Sequence, residues 1–222
     1  MDIKICELNK SYGKNLIFKN FNISFKSNKV NSIIGKSGCG KSTLLNIIAS
    51  LVEKDSGEII GIDKQDISYI FQEDRLIDWL TVGENLSLIL KNFYEKEQVN
   101  YELKELLKKV DMDNYENQYP QSLSGGMRQR INIARAFAKP SKVIIMDEPF
   151  KSIDIKNKIS IMNCFKTLLK NENRTVIFVT HDVDEAIFFN DNIYVLGESP
   201  VKIKGVFKEN LYDNRENIIK LI

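Results

Sequence analysis

The sequence predicts an α/β fold. A mostly parallel sheet carries helices on both faces, an antiparallel β segment precedes it, and a helical stretch is inserted. Three observations predict this. Residues 30–52, VNSIIGKSGCGKSTLLNIIASLV, read strand, glycine-rich turn, helix. Two further short apolar runs, KVIIMDEP and TVIFVTHD, end in polar groups, as strands buried on both faces do. Strand-like and helix-like stretches alternate along the second half, which favours parallel pairing through helical crossovers.

Taken in order, residues 3–8 and 17–25 read as strands, with Phe21, Ile23 and Phe25 alternating with polar residues. Val30–Ile34 is the next strand, and Leu44, Leu45, Ile48 and Leu51 then recur at helical spacing. From about residue 81 the pattern is helical. Thr81 and Glu84 have capping-box spacing. Leu103, Leu106, Leu107 and Val110 form an i, i+3, i+4, i+7 stripe, and Gly125-Gly126 precede a helix carrying Met127, Ile131, Ala134 and Phe137 or Ala138. Residues 85–138 are therefore expected as a helical subdomain inserted in one domain whose core is 1–84 and 139–222. The VIIMD strand, a helix over 157–170, the TVIFVT strand and the strands NIYVLG and VKIKGVF complete the core.

Composition narrows the function. The 222 residues suffice for one sizeable α/β domain. Lys+Arg 32 against Asp+Glu 30 leaves net charge +2, so there is no electrostatic footprint for nucleic acid or anionic lipid. No apolar run approaches the roughly 20 residues that span a bilayer, and MDIKICELNK lacks a signal-peptide core. Cys6, Cys39 and Cys164 are too few and too scattered for a disulfide framework or zinc site, and fit thiols in a reducing compartment.

Gly35-Lys36-Ser37-Gly38-Cys39-Gly40-Lys41-Ser42-Thr43 matches GxxxxGK[ST], the phosphate-binding loop. Glycines let successive N–H groups face the phosphates, and the following helix start adds positive partial charge. Lys41 is expected on the β- and γ-phosphates and the Ser42 hydroxyl on Mg²⁺. Cys39 reads as a small space-filler. The strand Val143–Met146 delivers Asp147, suited to Mg²⁺, and Glu148, suited to act as general base on the attacking water. Taken alone, those two acids also fit solvated carboxylates at a strand end. Ser124-Gly125-Gly126 is a serine cap and two glycines at a helix start, an anion-binding geometry that also occurs in ordinary loops.

LSGGMRQR, lying between the phosphate loop and the DEP strand, resembles the signature of the ATP-binding-cassette (ABC) ATPases, with Met127 for the usual glutamine. The resemblance covers nearly the whole chain. It implies a P-loop NTPase core that hydrolyses ATP with Mg²⁺. It implies that Tyr12 stacks on adenine, that Gln72 in YIFQED contacts Mg²⁺ and senses the membrane partner, and that His181 in VTHD contacts the γ-phosphate. Ser152-Ile153-Asp154 resembles the D-loop, with isoleucine for leucine. Two such subunits are expected head to tail, each ATP lying between the phosphate loop of one and Ser124-Gly125-Gly126 of the other. They would sit peripherally on the cytoplasmic side of the cell membrane with permease subunits and, indirectly, a solute-binding protein. FQEDRLIDWLTVGENL and THDVDEAIFF resemble importer ATPases for nitrate, sulfonate and taurine, although Asp78 stands where proline is common. An exporter or lipoprotein-release cassette is the alternative. A soluble cassette of translation or repair lacks support, having neither a second cassette nor a coiled-coil insert here, and a non-hydrolysing sensor is disfavoured by Glu148 and His181.

Overall fold

The computed structural model describes every residue except Ser152, Asn171 and Asn190. Its elements are β1 (Ile3–Tyr12), β2 (Asn15–Phe25), β3 (Val30–Ile34), α1 (Lys41–Ile48), β4 (Ser56–Ile60), β5 (Ile67–Ile70), α2 (Val82–Leu90), α3 (Lys96–Lys109), α4 (Gly125–Ala138), β6 (Val143–Asp147), α5 (Ile155–Leu169), β7 (Thr175–Thr180), α6 (Val183–Phe189), β8 (Asn192–Leu196), β9 (Ile203–Phe207) and α7 (Arg215–Leu221). They gather into two compact units. One comprises residues 1–67, 142–148 and 174–222, and the other 68–141 and 149–173.

In the first unit, β2-β1-β4 form an antiparallel sheet, as the alternation of Phe21, Ile23 and Phe25 predicts. A second sheet runs β6-β7-β3-β8 in parallel, closed by antiparallel β9. Its central strands are apolar because they are covered on both faces: all of β3 and β7 and the first four residues of β6 are buried. The registers pair Ile34 with Thr180 and Asp147 with Val179, so β3, β7 and β6 end side by side. Helix α1 packs on β6 and β7, and α6 on β3 and β7. Ile218 of α7 joins Val183, Ala186 and Ile187 of α6 in a core cluster. The expected α/β class, with its mostly parallel sheet and antiparallel N-terminal sheet, is what is found.

The second unit is helical. Helix α2 starts with the expected capping box in full: Thr81 Oγ1 accepts from Glu84 N at 3.2 Å, and Glu84 Oε2 accepts from Thr81 N at 2.7 Å. The α3 stripe Leu103, Leu106 and Leu107 is buried, and α3 packs against α2, α4 and α5. Phe137 of α4 meets Phe165 of α5 edge-on, with ring centroids 5.6 Å apart.

Candidate functional site

The phosphate loop leaves β3 and enters α1 through Gly40, whose φ of 102° lies in the left-handed region glycine adopts freely. A Cβ on Gly40 would also stand 2.9 Å from Ile17 Cγ2. Gly38 is left-handed too (φ 77°), but a Cβ there would meet nothing within 4 Å. Gly40 is thus held by packing and Gly38 by backbone conformation alone. Lys41 is buried, and its Nζ donates to Gly35 O at 2.7 Å and Lys36 O at 2.8 Å. These bonds tie the loop into a ring, and Cys39 Sγ lies 3.9 Å from the same nitrogen. Cys39 is buried, as a space-filler would be, while Ser37 and Gly38 are exposed on the rim with Lys36, whose Nζ meets Glu198 at 3.0 Å. Thr43 is half-buried on α1.

The neighbouring strand ends complete this cluster. Ser42 Oγ donates to Asp147 Oδ1 at 3.0 Å. Glu148 follows in the left-handed region (φ 43°), with its N–H on Val179 O at 2.9 Å. Its side chain is largely buried, and His181 Nδ1 lies 3.5 Å from Glu148 Oε2 while the imidazole itself is half-exposed. Lys41, Ser42, Asp147, Glu148 and His181 thus stand at the carboxyl ends of three adjacent parallel strands, where open α/β sheets bind ligands. A brace absent from the sequence reading supports His181. Buried Glu185 pairs with Thr180 Oγ1 at 2.5 Å, and that same oxygen accepts from Asp182 N at 3.0 Å. A charged residue beside Ala186 and Ile187 was its only sequence signal. Tyr12, at the end of β1, is half-exposed with Lys10 Nζ 5.1 Å from its ring centroid.

The second unit holds the other predicted residues. Ser124 caps α4, its side chain accepting from Met127 N at 3.3 Å, and the first turn of α4 contains no acid to offset its positive end. Gly125 is exposed, and a Cβ on Gly126 would stand 3.7 Å from Asn157 Cβ of α5. Asp154 caps α5, its carboxylate accepting from Asn157 N at 3.1 Å and Asn157 Nδ2 at 2.7 Å. Those bonds hold the Asp154 carboxyl below its ordinary range. Two helix starts, α4 and α5, thus stand together. Gln72 is exposed just past β5. Ser152 lies outside the described residues.

The lysine-bound glycine loop, the Ser42–Asp147 contact and the Glu148–His181 pair present the residue types that nucleotide hydrolysis uses. The family described as "ABC transporter" matches residues 18–151, more than half of the chain. The chain belongs to the ABC transporter family. Like the family it is an ATP-binding and ATP-hydrolysing subunit. It is 38% identical to the aliphatic sulfonates import ATP-binding protein SsuB of Bacillus thuringiensis subsp. konkukian, over 95% of this chain and 87% of that one. It is also 38% identical to the sulfate/thiosulfate import ATP-binding protein CysA of Mannheimia succiniciproducens, over 91% of this chain and 60% of the relative. Among solved structures, the dimeric post-hydrolysis state of the ATP-binding cassette MJ0796 bound to ADP and Pi superposes with TM-score 0.80 at 33% identity. That match covers 93% of this chain and 98% of the other. These relatives do not favour the exporter alternative.

Proposed function

We propose that this ABC ATPase drives import of a small oxyanionic solute of the sulfonate class. It would work as a head-to-tail pair of cassettes on the cytoplasmic face of permease subunits that a solute-binding protein supplies. No described helix is long and apolar enough to cross a membrane. The import aspect of the proposal is supported by the sulfonate- and sulfate-importing relatives.

The observation that carries the catalytic reading is the grouping of Lys41, Ser42–Asp147 and Glu148–His181 on three adjacent strand ends. The Lys41 ammonium, whose third contact is the long one of 3.9 Å to Cys39 Sγ, would donate to a β- or γ-phosphate oxygen. Glu148 takes a proton from the water that attacks the γ-phosphorus, and His181 holds the γ-phosphate oxygens as the bond to the β-phosphate breaks. Ser42 and Asp147 fit Mg²⁺, since both present hard oxygen donors already 3.0 Å apart. Phosphate and water oxygens, with Gln72 as the resemblance implies, would complete the ion's coordination. When bound, the ion neutralises charge on the β- and γ-phosphate oxygens. By the resemblance, Tyr12 would stack on adenine, and Ser124, Gly125, Gly126 and Asp154 would meet the nucleotide held by the partner cassette.

Glu148→Gln tests this. Turnover is expected to fall by roughly a hundredfold or more, the usual worth of a general base. Mg-ATP is expected to shift the variant from monomer to dimer on analytical ultracentrifugation. Normal turnover would remove Glu148 from the base role. Lost turnover with no dimer, even when permease is supplied, would remove the head-to-tail arrangement.

A further inference from the structure

We propose that Asp74 and Arg128 are positioning residues for ATP hydrolysis, fastening the segment after Gln72 to the start of α4. The Arg128 guanidinium forks onto one carboxylate: Nε donates to Asp74 Oδ2 and Nη2 to Asp74 Oδ1, both at 2.9 Å. Its Nη1 donates to Pro120 O at 3.2 Å, and Asp78 Oδ1 lies 3.6 Å from Nη2. Arg128 and Asp74 side chains are only 27% and 21% exposed, so the fork is shielded from competing water. Two bonds then connect the loop to the predicted nucleotide-facing turn, because Arg128 N–H donates to Ser124 O at 2.9 Å. Seven residues on, along the same stripe of α4, Arg135 Nη1 donates to the carbonyl of Arg75, a second grip on the adjacent residue. Asn85 fixes the far end of the segment, bonding Ile77, Leu80 and Thr81 backbone groups.

An ion pair that only stabilised the fold would have no reason to join these two places. This one begins two residues after Gln72 and ends one helical turn after Ser124. A rigid link of this kind makes any displacement of the Gln72 segment a displacement of Ser124-Gly125-Gly126. Lysine cannot replace the fork, having no planar pair of donors. The inference rests on the proposed nucleotide contact of the α4 start.

The test uses Asp74→Asn, which keeps shape and removes charge, Asp74→Glu, and Arg128→Lys. Asp74→Asn and Arg128→Lys are expected to lower kcat roughly tenfold while KM for ATP stays within about twofold, as a misplaced but intact site does. Asp74→Glu is expected to recover part of the loss. In the Glu148→Gln background, Asp74→Asn is expected to raise the ATP concentration for half-dimerisation roughly tenfold. If Glu148→Gln alone dimerises and the double variant needs the same ATP, the link is refuted and the head-to-tail reading stands. If Glu148→Gln stays monomeric even when permease is supplied, the head-to-tail reading fails, and the kcat and KM of Asp74→Asn and Arg128→Lys decide the link. Wild-type kcat in both single variants overturns it. A uniform rise in KM at unchanged kcat overturns it as well.

Discussion

Replacing Gly125 by alanine is expected to make the protein more stable and less active. Gly125 is the first residue of α4, its φ is not left-handed, and a Cβ built on it meets nothing within 4 Å. The folded chain therefore accepts the methyl group without strain, and the unfolded chain loses freedom. Such substitutions stabilise by about 0.4–1 kcal/mol. For a chain of this size that raises the melting temperature by about 1–4 °C. If Gly125 faces the nucleotide of a partner cassette, the methyl occupies the space the phosphates need. Turnover should then drop by roughly tenfold or more. Calorimetry and a phosphate-release assay on one preparation give both numbers. Wild-type turnover would refute the close approach, and a melting temperature several degrees lower would refute the open space. Gly35 is the opposite case: a Cβ there would stand 2.7 Å from the Leu196 carbonyl oxygen, so the packing of β3 on β8 requires glycine whatever the chemistry.

Asn85→Ala should cost about 3 kcal/mol and lower the calorimetric midpoint by about 6–12 °C, because Asn85 is 1% exposed and its side chain supplies the bonds to the part-buried Ile77 N–H and Leu80 carbonyl. Acid should unfold the protein in a defined window. Burial alone raises the Asp74 carboxyl, but Arg128 outweighs it and the net direction is down. Arg215 likewise lowers Asp184, and Lys26 with the Ser27 amide holds Asp2 at about 2. Groups lowered on folding stabilise above their unfolded value of about 3.9, and that stabilisation is lost as pH falls through the lower folded values. The urea midpoint should therefore hold above about pH 5 and fall between about pH 4 and 2. A midpoint that declined between pH 7 and 5 would assign the acid sensitivity to other groups.

Much of this was legible because it is written locally. The strands β3, β6 and β7 announce themselves as unbroken apolar runs, the phosphate loop by its glycine spacing, and α2 by Thr81 and Glu84. Helix α6 was not read, since six of its seven residues are buried or half-buried and no polar face creates a period. Helix α7 escaped for the converse reason: only Ile218 is buried. The same holds for β4, none of whose residues is fully buried. Within the site, the residue types at Lys41, Ser42 and Asp147 imply their own chemistry. Arg128 and Asp74 do not, because they are separated by 54 positions and nothing local in either announces the other. Asp154 shows a different limit. Its place in the sequence suggests a nucleotide contact, while its carboxylate is engaged in capping α5.

Glu148 shows how backbone conformation can point to function where sequence spacing cannot. In a continuing strand, Asp147 and Glu148 would point to opposite faces of the sheet. The chain instead turns left-handed at Glu148, a conformation that costs a residue with a Cβ about 1–2 kcal/mol. Asn20, Asn28 and Asn210 also adopt positive φ, but asparagine tolerates it through local hydrogen bonding, and Gly13 tolerates it for want of a side chain. Glu7 also adopts it (φ 50°), as do Ser50 and Asp111, but Glu7 is exposed, whereas the Glu148 side chain is largely buried. The neighbouring strands hold the turn closed through Glu148 N–H on Val179 O. The result is one carboxylate against Ser42 and the next, largely buried, beside His181. An isolated strand end would relax this strain by exposing Glu148 to water. It persists where β6 and β7 end side by side, which fits the proposed general base better than a solvated acid.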